Sequence, residues 1–359
     1  MVDYVSFWLA GKQVLLGTPE LPYIPIEFVA IQKQFSGSDV IFGFFYPPTF
    51  QMLQVAFALL PYKAALVAFA GSTTFLLFFC CRLITGNWLL AACLILIPAC
   101  GNNLFHGQNA ALTASLYALF LIGMERNRII LAGIALGILT IKPQLGILVP
   151  IALIAARDWR IFLTASVATL ALVGLSFAAL GLGTWQAFWQ QVPVASAMME
   201  LGGVEWGKMI SVYGAVRLFD FGHASAILAQ IAVGIGGLGC VWVAWSRSKQ
   251  MVVRAPVLIA GTLLATPFGL SYDLTLLVVP CAFLIREGLK YGFLPYEKMI
   301  LAIVICLSAS TSPIAIWLGI PVAPLLPALI LSLGMRRLKG PSEEALLEDR
   351  TVQKQRSVL

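Results

Sequence analysis

Lys142 and Pro143 stand in the middle of ILTIKPQLGIL, residues 138–148, and no other charge occurs between Ile129 and Ala156. An ammonium at the centre of a membrane helix costs roughly 2.5 to 3.5 kcal/mol even on lenient insertion scales, so such a lysine calls for a role. As a point charge it suits a phosphate, and Gln144 adds a neutral hydrogen-bonding group; the bland alternative is a lysine snorkelling from a helix end. Asp3, at the start of DYVSFWLAGKQVLLG, is either a helix N-cap or a carboxylate for proton transfer. The two are compatible, because a cap fixes the group and leaves one oxygen over. His106, Gln108 and Asn109 in HGQN group an imidazole with two amides. They form a polar turn capping the next helix, or a set that hydrogen-bonds hydroxyl groups while His106 meets a phosphate or moves a proton. Asp273 in LSYDLTLL reads as an N-cap, a partner for Lys142 or a second carboxylate. Tyr46 in FFYPPTF reads as an interfacial aromatic or a substrate contact. Lys208 and Arg217 suit an anionic head group, arginine being able to make bidentate phosphate contacts.

The elements that hold these residues are set by composition. Sixty per cent of the 359 residues are hydrophobic, 11 per cent are charged, and the mean hydropathy is +0.92. An ordinary soluble domain has about 25 per cent charged residues, so this composition implies a polytopic membrane protein. The long apolar runs lack period-two alternation, which excludes a β-barrel and leaves an all-α transmembrane bundle. The net charge of +7 reports topology rather than nucleic acid, because the basic residues sit in short connections between apolar runs. The seven cysteines lack metal-ligand spacing and read as small buried hydrophobes. GKS/GKT and HExxH patterns do not occur, and the one GxGxxG match, GIGGLG at 234–239, lies in the middle of the apolar run 225–245 rather than between a strand and a helix, so no soluble nucleotide or zinc site is supported.

About eleven apolar runs predict spans near 64–84, 88–101, 108–123, 129–141, 144–156, 160–181, 225–245, 255–268, 272–286, 298–312 and 314–335. Basic residues occupy every second connection, at Arg82, Arg126 and Arg128, Arg157 and Arg160, Arg247 to Arg254, Arg286 to Lys298, and Arg336 to Lys339. The positive-inside rule places those bends in the cytoplasm and folds 129–156 into a hairpin that breaks at Lys142-Pro143. The alternate connections, which face outward, hold the chemistry-capable residues. Three regions follow: residues 1–50 as an external loop with a short amphipathic helix ending near Gly17, residues 51–335 as the membrane domain with an external loop at 182–224, and a cytoplasmic tail at 336–359. Because residues 1–50 must lie outside, the gene is expected to encode a further span upstream of Met1, absent from this chain.

DYVSFWLAGKQVLLGTPELPY, FYPPTF, HGQN, AGIALGILTIKPQLGILVPIALIAARDWRIF, MISVYGAVR and ATPFGLSYD, in that order, resemble the bacterial family 87 glycosyltransferases from Asp3 to about Leu284. The resemblance implies the C-type glycosyltransferase fold and a polyprenyl-phosphate mannose or related lipid-linked donor. It also implies that Asp3 matches the aspartate of the first external loop, the catalytic base toward the acceptor hydroxyl, with inversion at the anomeric carbon. In such enzymes that aspartate follows a first transmembrane helix, which this chain lacks.

The expectation is therefore a hexosyltransferase of the bacterial inner membrane, moving mannose at the outer face from a polyprenyl-phosphate donor to a glycan or glycolipid acceptor. Asp3 is its base, and Tyr46, His106, Gln108, Asn109, Lys142, Gln144, Lys208, Arg217 and Asp273 bind substrate. The lipid bilayer is a partner and nucleic acid is not; no cofactor is implied, and a divalent metal stays open. The competing reading is a transporter or flippase of a lipid-linked sugar or another amphiphile. It would show internal repeats and polar groups continuing toward the cytoplasmic side, and neither is visible.

Overall fold

The computed structural model describes residues 2–339 and is all-α. The tail expected at 336–359 therefore lies outside the described residues from position 340 onward. In chain order the helices are α1 (Tyr4–Leu15), α2 (Pro25–Ser36), α3 (Pro48–Ala58), α4 (Tyr62–Thr85), α5 (Trp88–Ile95), α6 (Pro98–His106), α7 (Ala110–Glu125), α8 (Ile129–Leu139) and α9 (Val149–Ala156). They continue as α10 (Trp159–Glu200), α11 (Val212–Leu218), α12 (His223–Arg247), α13 (Met251–Ala265), α14 (Val278–Tyr291), α15 (Glu297–Leu307), α16 (Thr311–Leu318) and α17 (Leu325–Lys339).

Helices occupy the predicted apolar runs, but the count of eleven spans is corrected. Among the described residues three helices, α4, α10 and α12, are long and apolar enough to cross a membrane. Two bent pairs, α5 with α6 at 58° and α15 with α16 at 69°, raise the number to five at most. The physical reason is where the remaining apolar length goes. Helix α8 has 11 residues, about 16 Å at 1.5 Å each, against a hydrocarbon core of roughly 30 Å. In α13 every residue from Met251 to Leu264 is buried, the signature of a helix inside a bundle. The lipid-facing role falls to α10 and α12, where only 11% and 22% of the apolar window is buried and Leu163, Val167 and Leu170 are exposed. The molecule is a multi-pass membrane protein whose short apolar helices pack against one another.

Two further expectations change. Helix α1 is not amphipathic on a surface, since all its residues from Tyr4 to Gly11 are buried. Phe7 packs edge-on against Tyr46 and Phe50, so the first segment is part of the core. The stretch expected as a loop from residue 182 is helical to Glu200, and the interruption is local, at Gly181 with φ 79° and ψ 168°.

The break at Lys142-Pro143 is present. Helix α8 ends at Leu139, Lys142 leaves helical geometry at φ −136° and ψ 75°, and a 3-10 turn over Pro143–Gly146 precedes α9. Gly133 and Gly137 hold α8 close to α10: a Cβ there would come within 2.4 Å of Thr164 Cγ2 and 2.5 Å of Ala168 Cβ. Two glycines four apart permit this approach of backbones, and it fixes the end of α8 from which Lys142 projects.

Candidate active site

Asp3 occupies the N-cap position of α1, yet its side chain makes no capping hydrogen bond. Instead Gln108 Nε2 donates to Asp3 Oδ2 at 2.8 Å, across 105 residues of chain. Asp3 is half-buried, and its other oxygen accepts no hydrogen bond from the described residues. Gln108 is held by its position just after α6, whose C-cap Gly107 has φ 64°. A Cβ on Gly107 would lie 2.7 Å from both Tyr4 Cβ and Leu66 Cδ1, so the HGQN turn seats directly on the start of α1. The expected capping of α7 is done by Asn103, whose Oδ1 accepts from the Ala110 N–H at 2.9 Å. That leaves Gln108 and Asn109 to face the site.

Lys142 is buried and paired. Its Nζ lies 2.5 Å from Asp273 Oδ1, with the two side chains 4% and 2% exposed, and 3.5 Å from Asn109 Oδ1. Asp273 also accepts the Leu270 N–H through Oδ2 at 3.1 Å. The carboxylate thus serves both as the partner of Lys142 and as an acceptor for the backbone that opens the 3-10 turn over Ser271–Leu277. The Tyr272 ring lies 5.3 Å from Lys142 Nζ and the Tyr46 ring 6.0 Å, giving the ammonium aromatic neighbours as well as a counter-ion. Tyr46 donates to Gln108 Oε1 at 3.4 Å. Burial first, then the Asp273 carboxylate, hold its phenol far above the ordinary tyrosine range, so it stays a proton donor. Asn109 is fully buried and its Nδ2 has no partner among the described residues. An unpaired buried donor costs about 1–3 kcal/mol, so this N–H is available to a ligand at little further expense.

The structure therefore brings together Asp3, Tyr46, Gln108, Asn109, Lys142 and Asp273, which come from five separate stretches of sequence. His106 is adjacent, half-buried, with Nδ1 2.9 Å from the Asn102 carbonyl and its ring 6.3 Å from that of Tyr272. Gln144 is half-buried on the turn after Lys142. Lys208 and Arg217 have other partners. Lys208 is exposed and pairs with Glu205 at 3.0 Å. The Arg217 guanidinium donates to the Glu200 and Phe221 carbonyls and stacks 4.4 Å from the Trp206 ring. Their segment still reaches the site's edge, because Met209 bridges Leu270 and the Ile210 N–H donates to the Gly269 carbonyl at 2.9 Å.

Sequence reasoning passed over Tyr272 and Asn102. Tyr272 abuts Asp273 in LSYD, and an aromatic beside an intramembrane carboxylate was the available signal. Asn102, which donates to Ser271 Oγ at 3.2 Å, locks the HGQN segment to that same turn; nothing local announces it. Among the described residues no group of three or more His, Cys, Asp and Glu side chains gathers as a metal site.

Chemically, this is a carboxylate with one oxygen fixed and one open, bordered by amide and phenol hydrogen-bonding groups and floored by a buried ion pair. The model of one family, described as Glycosyltransferase family 87, matches residues 44–267, more than half of the chain. No curated protein and no solved structure matches it.

Proposed function

Because this chain belongs to glycosyltransferase family 87, we propose that it is a C-type hexosyltransferase of the bacterial inner membrane that transfers mannose from a polyprenyl-phosphate donor to a glycan or glycolipid hydroxyl. Glycosyltransferase activity in a multi-pass membrane protein follows from the family and the apolar helices. The sugar, donor, stereochemistry and residue roles are our reading.

In that reading the acceptor O–H gives its proton to Asp3 as its oxygen forms a bond to the anomeric carbon. The bond from that carbon to the phosphate oxygen breaks, polyprenyl phosphate leaves, and the configuration inverts. A base needs hydrogen-bond reach and a fixed orientation. The observation that carries the reading is Asp3 itself: Gln108 holds Oδ2 at 2.8 Å while Oδ1 is left for a substrate hydroxyl. Gln108, Asn109 and Tyr46 supply neutral donors and acceptors for sugar hydroxyls. Lys142 has three N–H donors; Asp273 takes one and Asn109 a second at 3.5 Å, and the third is assigned to the leaving phosphate. His106 and Gln144 border the same space, and Lys208 and Arg217 would meet the donor only beyond the Met209–Leu270 bridge. Our reading turns the site to the exterior, which is supported by Arg157, Arg160, Lys249, Arg254, Arg286 and Lys290 gathering at the other end of the bundle, basic bends being the cytoplasmic ones.

The test is transfer from radiolabelled polyprenyl-phosphate mannose by the full protein in bilayer nanodiscs, with the product's anomeric configuration read by NMR. Loss of transfer in Asp3→Asn with an unchanged melting temperature supports the base role. Retained transfer removes Asp3 from the mechanism, and a retained anomeric configuration removes direct displacement.

A further inference from the structure

A concave site lies at the end of the bundle opposite Asp3 and Asp273. A cavity of about 1060 Å³ is lined by the α7–α8 bend, the α9–α10 bend, the start of α13 and the end of α14. Helix α7 runs from Asn109, at the carboxylate site, to Glu125, at this cavity, and its 16 residues separate the two by about 24 Å.

The charges around the cavity are unevenly committed. Asp158 is 3.5 Å from Arg254, and Glu125 makes a two-oxygen pair with Arg286 at 2.7 and 3.1 Å. Glu287 and Lys290 contribute one further charge of each sign to the lining. Arg157, Arg160 and Lys249 remain, all exposed, all lining the cavity, and none within ion-pair distance of a carboxylate among the described residues. Helices α8, α10 and α13 also begin here, and none of the three has a side-chain cap on its first N–H groups. Their positive ends add to the field of the three cations. Trp159, 52% exposed, stands among the lining residues as an interfacial anchor would.

A positive-inside bend needs basic residues but no cavity, and here Asp158 and Glu125 are paired with Arg254 and Arg286 rather than with Arg157, Arg160 or Lys249. We propose that this cavity is a binding site for a phosphate ester, held by Arg157, Arg160 and Lys249, separate from the transfer site. Its volume is of the size that holds a small molecule rather than a lone ion. Two sources share the chemistry: the head group of an anionic phospholipid and a water-soluble phosphomonoester.

The experiment uses the full protein in phosphatidylcholine nanodiscs, with the melting temperature as the readout. In one arm phosphatidylglycerol replaces part of the phosphatidylcholine; in the other, glycerol 3-phosphate is titrated into the neutral discs. A saturable rise in either arm is expected, and the responding arm identifies the source. The variant R157Q/R160Q/K249Q should weaken that response by on the order of tenfold to a hundredfold, each cation near a phosphate surface contributing a comparable share. The variant R128Q/R247Q/K298Q removes the same charge from the same end of the bundle, outside the cavity lining, and should respond as the parent does. Equal loss in both variants would reduce the effect to general surface charge and overturn the site, as would no response in either arm. Glycosyl transfer is not the readout, so failure here leaves the assignment of Asp3 untouched.

Discussion

Two lysine–carboxylate pairs in this protein have the same chemistry and opposite surroundings. Lys142 and Asp273 are 131 residues apart, paired with Nζ 2.5 Å from Oδ1, and almost wholly buried. Lys208 and Glu205 are three residues apart, paired with Nζ 3.0 Å from Oε2, and about half exposed. As sequence features both lysines were candidates for an anionic ligand. Water decides between them. A buried charge must be matched inside the protein, so Lys142 ties together the α8–α9 turn, the HGQN turn and the turn after α13. An exposed pair is solvated whether or not it forms, and exposed pairs contribute about 0–1 kcal/mol.

The largest expected effect comes from breaking the buried pair on one side. Asp273→Asn strands the Lys142 ammonium and is expected to cost about 3–5 kcal/mol, seen as a large drop in melting temperature in detergent. The double variant K142M/D273L removes both charges and should regain most of that stability, because replacing a buried ion pair by apolar groups is often neutral or better. It should still lack transfer. A double variant that folds and transfers normally would make the pair purely structural.

The reverse signature belongs to Asp3, which is half-buried and held by one neutral amide. Asp3→Asn is expected to lower transfer by about 10²–10⁴, the range of a positioned general base, with little change in melting temperature. Gln108→Leu should follow it weakly, since Gln108 orients the carboxylate without touching the reacting atoms in the proposed geometry. A large stability loss in Asp3→Asn would make it resemble Asp273 instead.

Two glycines sharpen the same contrast through the backbone. Gly17 and Gly107 both have left-handed φ, 79° and 64°, a region that costs a side chain about 1–2 kcal/mol. A Cβ on Gly17 meets open space, whereas one on Gly107 meets Tyr4 and Leu66. Gly17→Ala should lower stability by about 1 kcal/mol and leave transfer unchanged. Gly107→Ala should cost more and reduce transfer too, because it pushes the start of α1, and so Asp3, away from Gln108. Unfolding and transfer assays on the two variants side by side decide this, and equal behaviour would break the link between HGQN and Asp3.

How much of this was legible in the chain depended on whether the cause was local. The break at Lys142-Pro143 was, because proline acts on its own and the preceding residue. The choice among three readings of Asp273 was not, since it turns on a contact 131 residues distant. Nor was the number of spans, because an apolar helix buried by its neighbours and one bathed in lipid have the same composition; α13 and α12 differ in exposure, not in hydrophobicity. Helix α1 was misread for a related reason: its burial depends on segments distant in the chain, with Gly11 lying against the Gln54 backbone and Phe7 against Tyr46 and Phe50.

The smallest expected effect tests the other end of the comparison. Lys208→Gln removes an ammonium that is 56% exposed and, among the described residues, paired with Glu205. The lost attraction is already screened by solvent, and the freed glutamate stays hydrated, so stability should change by less than about 0.5 kcal/mol. Transfer at saturating donor should also be unchanged. If Lys208 guides the donor through its field alone, the apparent KM for donor should rise modestly at low salt, and the difference should vanish as salt screens the charge. A salt-independent loss of turnover would instead mean that Lys208 reaches the donor phosphate directly. In that case the two lysines would share a role, and burial would have been the wrong criterion for telling them apart.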